Sequence, residues 1–493
     1  MAVGATPWPL RPGWDGGASH ERRAVPLAQG LPGGLPVAYA PWQRSRVAAL
    51  GILAALAVLL IVKMEFRLPH SNTALFAYGV IVTAMVLMQM YFAMMHYRDL
   101  AMVGPSAVEN GDDRGPLPAP ERAPVSCIVA VHNEELIMEQ CVRSMVSQTY
   151  EPKEIIVVDD ASTDGTPRIL AELAERYHIK VITLANNVGK KRALGVGMLR
   201  ASGEVFAFTD SDSIWAPDAV ERTATILAKH PEVGAVSGHC RALNSERNLL
   251  TKIQDAWYEG QFSVRKAFES VFGAVTCVSG PLAVFRRAAI YNYIPAWEQD
   301  QFLGDEFRFA TDRTLTGFVL MNAKRANRLK ARHADSPFLA QEYPWRDWRT
   351  VYSKSARSWT EVPDTFGRLV KQQVRWKKSF LRNIFFTGGF YWRRFFLAAL
   401  LYYLHIVFVL LGPFVAFRHL ILLPLQGNIE SAFLYIVGII LIGSLFGLAF
   451  RREERRGNGW MYRPLMSVLS TIVLSWLVYY SLITIKKMVW ARG

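Results

Sequence analysis

Glu204-Val205-Phe206-Ala207-Phe208-Thr209-Asp210-Ser211-Asp212 runs an apolar stretch straight into two carboxylates one residue apart. The apolar part reads as a buried strand. Side chains alternate along extended backbone, so Asp210 and Asp212 point to the same side. A hard divalent cation, Mg2+ or Mn2+, takes such a pair together with the oxygens of a diphosphate. Taken alone, the same pattern also describes a solvated turn. A second acidic pair, Asp159-Asp160, follows another apolar run, Glu154-Ile155-Ile156-Val157-Val158. A third acid stands in Thr311-Asp312-Arg313, and Gln372-Gln373-Val374-Arg375-Trp376 lies beyond it.

Outward from these acids, residues 125 to about 316 alternate strand-like and helix-like runs: 125–131, 135–147, 155–158, 168–177, 181–184, 190–200 and 205–209. That alternation predicts an α/β domain on a mostly parallel sheet, with ligands at the carboxyl ends of its strands. Both acidic pairs fall at such ends.

The flanks are of another kind. Residues 1–46, rich in Gly, Pro and Arg, read as a disordered cytosolic tail, which argues against a cleavable secretory signal. Residues 47–97 hold two expected transmembrane helices (47–62 and 74–95), and 98–124 form a linker. The cytosolic domain is expected over 125–376 and an interfacial helix over 377–394. Residues 395–493 hold three or four spans, at 395–417, 431–450 and 466–485, with 420–425 a candidate hairpin turn. The chain has 493 residues, 51% of them hydrophobic and 20% charged, as a soluble domain joined to membrane spans would. Much of the +15 net charge flanks the apolar runs, at Arg44, Arg46, Arg451-Arg452 and Lys486-Lys487. That bias places tail and domain in the cytosol of a multi-pass plasma-membrane protein in contact with lipid. With no aromatic-rich RNA signature and no zinc spacing, nucleic acid is not an expected partner. His132, His239 and His333 lack a metal-ligand spacing. Four scattered cysteines, Cys127, Cys141, Cys240 and Cys277, read as reduced thiols.

Each further motif has a chemical and a plain reading. Asp160 in Asp159-Asp160-Ala161-Ser162 can accept from a uracil or ribose, or the segment caps a helix. Lys190 in Gly189-Lys190-Lys191-Arg192, or one of its neighbours, can hold phosphates at a helix start, or the run is a charged turn. Asp312 has the character of a general base, with Arg313 keeping it ionised, or the two form a surface ion pair. Arg375 can neutralise a departing diphosphate and Trp376 can stack on a sugar, or they anchor the membrane interface.

Together these runs resemble the processive family 2 glycosyltransferases, and among them the hyaluronan synthases, with the nodulation-type chitin-oligosaccharide synthases as relatives. The resemblance spans about 125–382. It rests on Val131-His132-Asn133-Glu134-Glu135, on Asp160 and Lys190, on Asp210 and Asp212, and on Ser279-Gly280-Pro281. It continues through Asp312-Arg313-Thr314-Leu315-Thr316 and Gln372-x-x-Arg375-Trp376. It implies a GT-A-like nucleotide-sugar domain set between N- and C-terminal membrane helices. His132, Asn133, Glu134, Asp160, Lys190 and Asp210 would contact the donor. Asp210 and Asp212 would hold the metal, and Asp312 would be the base. Ser279, Gly280 and Pro281 would lie on the acceptor side, Arg313 would bind substrate beside the base, and Gln372, Arg375 and Trp376 would hold the product. Three departures stand out. The family's Gly-Asp-Asp-Arg is Ala310-Thr311-Asp312-Arg313, its Asp-Asp-Gly-Ser is Asp159-Asp160-Ala161-Ser162, and 324–348 is a basic, aromatic insertion.

The resemblance implies an inverting enzyme that polymerises UDP-GlcNAc and UDP-glucuronate into hyaluronan and extrudes it through its own channel. A single-donor β-glycan synthase of the chitin-oligosaccharide kind is the alternative enzyme. A non-catalytic nucleotide-sugar-binding subunit for secretion is the alternative of another class.

Overall fold

A computed structural model describes residues 73–102, 122–451 and 458–487. The expected tail, the expected first span, most of the linker and most of the 451–456 basic cluster lie outside the described residues. The described chain divides into two compact units. One holds the described residues 99–102, 122–243 and 276–361; the other holds the remaining described residues.

The first unit is built on an eight-stranded sheet. Its strands are β1 (Val125–Val131), β2 (Lys153–Asp159), β3 (Lys180–Thr183), β4 (Val205–Phe208), β5 (Ser213–Trp215), β6 (Val233–Ala242) and β7 (Ala283–Arg286). A small hairpin of β8 (Gln301–Phe302) and β9 (Asp305–Glu306) stands apart, and β10 (Arg349–Thr360) completes the main sheet. The order is β3-β2-β1-β4-β7-β6-β10-β5. Pairings among β3, β2, β1 and β4, and between β6 and β10, are parallel. β7 runs antiparallel to both its neighbours and β5 antiparallel to β10. This is the mostly parallel α/β sheet expected of a GT-A domain.

β1 is buried along its whole length, as its unbroken apolar sequence requires of a central parallel strand. Cys127, Val129 and Val131 on one face pack with Cys141, Val142 and Met145 of the helix Met138–Val146. Each such aliphatic side chain contributes about 1.5–3 kcal/mol by leaving water. On the other face the helix Lys190–Arg200 comes so close that a Cβ on Gly197 would lie 2.7 Å from Ile128. Strand order reverses beside β1, with β2 on one side and β4 on the other. The chain therefore leaves β1 and β4 in opposite directions, opening a crevice at their carboxyl ends.

The second unit is helical. Among the described residues, three of its helices are long and apolar enough to cross a membrane: Ala77–Met95, Phe396–Leu425 and Ile429–Gly447. A fourth candidate pairs Gly459–Ile472 with Leu474–Ile483 across a 47° bend. The straight span expected at 466–485 is thus broken. Thr471-Ile472-Val473 is a β-branched run of poor helix propensity at the break, with neither Pro nor Gly involved. The expected turn at 420–425 is instead continuous helix, and the reversal comes at Gly427, whose φ is 89°. The helix Phe366–Phe386 runs unbroken through residue 376, where the sequence suggested a domain boundary.

Candidate active site

The carboxyl ends of β1, β2 and β4 carry the expected acids and their supports. After β1, His132 Nδ1 donates to the Asp160 carbonyl at 2.9 Å. Asn133 is left-handed (φ 56°), with its side-chain oxygen accepting from Thr163 N at 2.8 Å and its own N–H donating to Ser162 at 3.0 Å. Glu134 accepts from Ser211, the residue between the two acids, at 3.2 Å. These bonds sew the loop after β1 to the loops after β2 and β4.

Asp160 is buried, and its two carboxylate oxygens accept from Val188 N at 2.7 Å and Gly189 N at 2.9 Å. Burial raises its pKa, and those two N–H bonds oppose the rise only in part. Asp160 thereby holds the backbone immediately before Lys190, with Gly189 at a φ of 86° that only glycine adopts freely. Its neighbour Asp159 is fully buried and keeps Oδ2 without a partner.

Lys190 forms an ion pair with Asp210 Oδ1. Burial works against the lysine's charge, but Asp210, Asp212 and Asp312 more than offset it, so its pKa stands above the ordinary value. Acids 102 residues apart in sequence therefore act on one ammonium. Asp212 accepts from Thr360 Oγ1 at 3.1 Å and Ser213 Oγ at 3.3 Å. Burial, then the charge of Asp210, drives its pKa up.

Below these acids lies Ser279-Gly280-Pro281. The Pro281 carbonyl accepts from Trp215 Nε1 at 2.6 Å and Thr209 Oγ1 at 3.2 Å, fixing the turn under the end of β4. Ser279 N donates to Ser237 at 3.3 Å. A Cβ on Gly280 would lie 2.7 and 2.8 Å from the Asp210 oxygens, so glycine is needed for this approach.

Asp312 is the second residue of the helix Thr311–Leu320, where the helix dipole favours negative charge. Its Oδ1 accepts from the backbone N–H of Arg313 at 2.8 Å, and Oδ2 accepts from Cys277 Sγ at 3.3 Å. Arg313 thus bonds Asp312 through its backbone amide. Ala161 and Ala310, where the family has glycine, keep left-handed backbone (φ 58° and 61°). The geometry survives without the residue that adopts it most readily.

Gln372, Arg375 and Trp376 belong to the other unit, at i, i+3 and i+4 of the helix Phe366–Phe386, and so share one flank. Gln372 Oε1 is buried without a partner, and Trp376 stacks on Trp257 at 5.5 Å. Sequence reasoning missed Thr360, Cys277 and Trp215 as supports of the acids. Only the fold brings them there; Cys277 ends the run 272–277 that leads into Ser279-Gly280-Pro281, but that run gave no sign of its contact with Asp312.

Among the described residues, no group of three or more His, Cys, Asp or Glu side chains is gathered as a metal cage. Two neighbouring carboxylates, one pushed toward protonation by burial and by the other, nevertheless fit a hard cation whose remaining ligands are phosphate oxygens.

Residues 126–294 match the model of glycosyl transferase family 2. Those residues form a domain of that family. An N-acetylglucosaminyltransferase of Rhizobium meliloti (strain 1021) is 33% identical to this glycosyltransferase over 319 residues, 64% of this chain and 66% of the relative, just under two thirds of its length. A hyaluronan synthase of Streptococcus pyogenes is 27% identical over 377 residues, 74% of this chain and 82% of the relative. Among solved structures, the mannosyltransferase PcManGT from Pyrobaculum calidifontis, in complex with GDP-Man and Mn2+, aligns with a TM-score of 0.48 at 17% identity, over 89% of this chain and 99% of that one.

Proposed function

We propose that this glycosyltransferase is an inverting, processive β-glycan synthase that uses UDP-sugars and works in the membrane its helices span. The observation that carries this reading is the single turn 277–281, which sets Cys277 against Asp312 Oδ2 and Gly280 against the Asp210 carboxylate that pairs with Lys190. Two functions meet there: a place for a diphosphate and a base for an acceptor.

In this scheme Asp160, with the segment after β1, binds the uridine. Lys190 leaves Asp210 to pair with the diphosphate, and Asp210 and Asp212 hold Mg2+ or Mn2+. When bound, that cation stabilises the charge that gathers on departing UDP. Asp312 takes the proton of the acceptor hydroxyl as its oxygen bonds to the anomeric carbon and the bond to UDP breaks. A positioned base of this kind contributes about 10²–10⁴ in rate. Cys277 and the Arg313 amide orient the carboxylate for that transfer. Gln372, whose oxygen lacks a protein partner, binds a glycan hydroxyl, with Arg375 and Trp376 beside it.

Alternating UDP-GlcNAc and UDP-glucuronate, with hyaluronan as the product passed through the membrane, is the preferred donor assignment; Ser279-Gly280-Pro281 supports it. The 33% identity to a rhizobial N-acetylglucosaminyltransferase favours a second reading, a GlcNAc-only product. Incubating the purified chain with both donors, one radiolabelled at a time, separates them. Incorporation of both labels into a polymer digested by hyaluronan lyase supports the first; GlcNAc incorporation alone supports the second. The charge bias of the flanks supports a cytosolic catalytic domain in a multi-pass cell-membrane protein.

A further inference from the structure

Successive residues of a helix point about 100° apart. The three cations opening the helix Lys190–Arg200 accordingly take three partners. Lys190 reaches Asp210. Lys191 turns into the protein, with only 6% of its side chain exposed. There Nζ bonds to Asp300 Oδ2 at 3.1 Å and to the Phe307 carbonyl at 2.7 Å. Arg192 pairs with Glu306 at 3.1 Å. The basic run is therefore not one phosphate cradle.

Asp300, Glu306 and Phe307 belong to the strap that leads into the helix of Asp312. Its β8–β9 hairpin closes through Leu303 and Gly304, both at positive φ, and Phe307 N returns to the Asp300 carbonyl at 2.7 Å. Phe307 and Phe309 are buried and pack edge to face. The strap then passes through left-handed Ala310, and the buried Trp297 indole donates to the Thr311 carbonyl at 2.9 Å, one residue before Asp312. Asp300 is as buried as its partner, so neither charge has water to fall back on if the other is removed.

We propose that Lys191 and Arg192 are positioning residues that clamp the 300–310 strap and so set where Asp312 stands relative to the Lys190 end of the donor site. This rests on Asp312 being the base. One helical turn would then join donor recognition to acceptor activation: its first residue faces the diphosphate, and its next two hold the base in register. Displacing a catalytic group by about 1 Å costs roughly 10²-fold in rate. Loosening the clamp should therefore lower kcat and spare donor affinity.

The test uses the full-length purified chain. Transfer kinetics, UDP affinity by calorimetry and melting temperature are measured for Lys191→Met, Trp297→Phe, their double variant and Asp312→Asn. The clamp requires kcat to fall 10- to 100-fold in Lys191→Met, with UDP affinity within about 2-fold of wild type. Trp297→Phe keeps a smaller aromatic ring at this buried position and loses the bond to Thr311. It should show the same split, and the double variant should lose less than the product of the two effects, because both act through one strap. Wild-type kcat for folded Lys191→Met, alongside an inactive Asp312→Asn, overturns the clamp and leaves the base assignment standing. So does a loss seen only in melting temperature, or one seen equally in UDP affinity. An active Asp312→Asn overturns the base assignment, and the clamp with it.

Discussion

Gly280→Ala places a methyl group against the carboxylate that pairs with Lys190. The added carbon would sit 2.7 and 2.8 Å from the Asp210 oxygens and 3.0 Å from its Cγ. An ordinary contact of this kind is about 3.4 Å, so one of the two must yield by about 0.7 Å. The turn bearing Gly280 is fixed by Trp215 and Thr209 through the Pro281 carbonyl, whereas Asp210 is a side chain that can swing. Asp210 therefore moves, carrying its ion pair away from the position a donor diphosphate would meet. A shift of that size corresponds to roughly 10- to 100-fold in kcat. The cost in stability should stay at about 1–2 kcal/mol, since the carboxylate is partly open to solvent. Initial rates of transfer from labelled UDP-sugar, with a melting curve for each variant, measure both. Gly367→Ala, a site with nothing within 4 Å of the added carbon, serves as the control and should keep wild-type rates. Wild-type turnover in folded Gly280→Ala would refute the placement of Asp210 at the working site.

Other expectations follow from the same geometry. Chelation of divalent cations should abolish transfer, and added Mg2+ or Mn2+ should restore it; full activity in excess chelator would contradict the Asp210–Asp212 assignment. Burial pushes the Glu298 carboxyl up to about 8, with Arg192 opposing. The folded state thus holds a proton that the unfolded state has released above the ordinary value of 4.5, so stability falls as pH rises from 4.5 to 8. The fall has a ceiling of about 5 kcal/mol, and Glu298→Gln should flatten that slope in melting curves taken across the window. Ala161→Gly and Ala310→Gly each relieve left-handed backbone that costs about 1 kcal/mol, offset in part by the freer unfolded chain. Melting temperatures should hold or rise, and a clear drop would count against the strain. Trp376→Ala should shorten the product on a sizing gel more than it lowers the initial rate; unchanged length would argue against a product-holding role.

Two of the acidic groups were legible because they follow unbroken apolar strands, and strand ends on a parallel sheet are where side chains converge; Asp312, on a helix, was not placed by that rule. For Asp159-Asp160 and Asp210-Ser211-Asp212 that rule was joined to their occurrence together with Asp312 and the Gln372–Trp376 run. The direction of β7 was not legible, because a strand of three apolar residues and Arg286 reads the same either way along a sheet. The split of the Gly189-Lys190-Lys191-Arg192 run was also hidden. Which of three adjacent cations faces a ligand depends on helix rotation against Asp300 and Glu306, more than a hundred residues away. Residues 244–275 read as part of the α/β domain but cluster with the helical unit. The helix Leu249–Gly260 buries Gln254, Asp255 and Glu259 among its apolar residues, so its buried face is not the simple hydrophobic stripe that pattern reading follows. Thr360 gave no signal, since a hydroxyl at the end of a strand is common and only β10 beside β5 brings it to Asp212.

Asp312→Asn is the substitution on which the proposed chemistry stands or falls. It keeps the size of the side chain and an oxygen for the Arg313 amide, and removes the ability to take a proton. Transfer and UDP binding should be measured on the same purified preparation. The expected result is transfer reduced by about 10²–10⁴ with UDP affinity unchanged. Wild-type transfer by Asp312→Asn would contradict a base at this position.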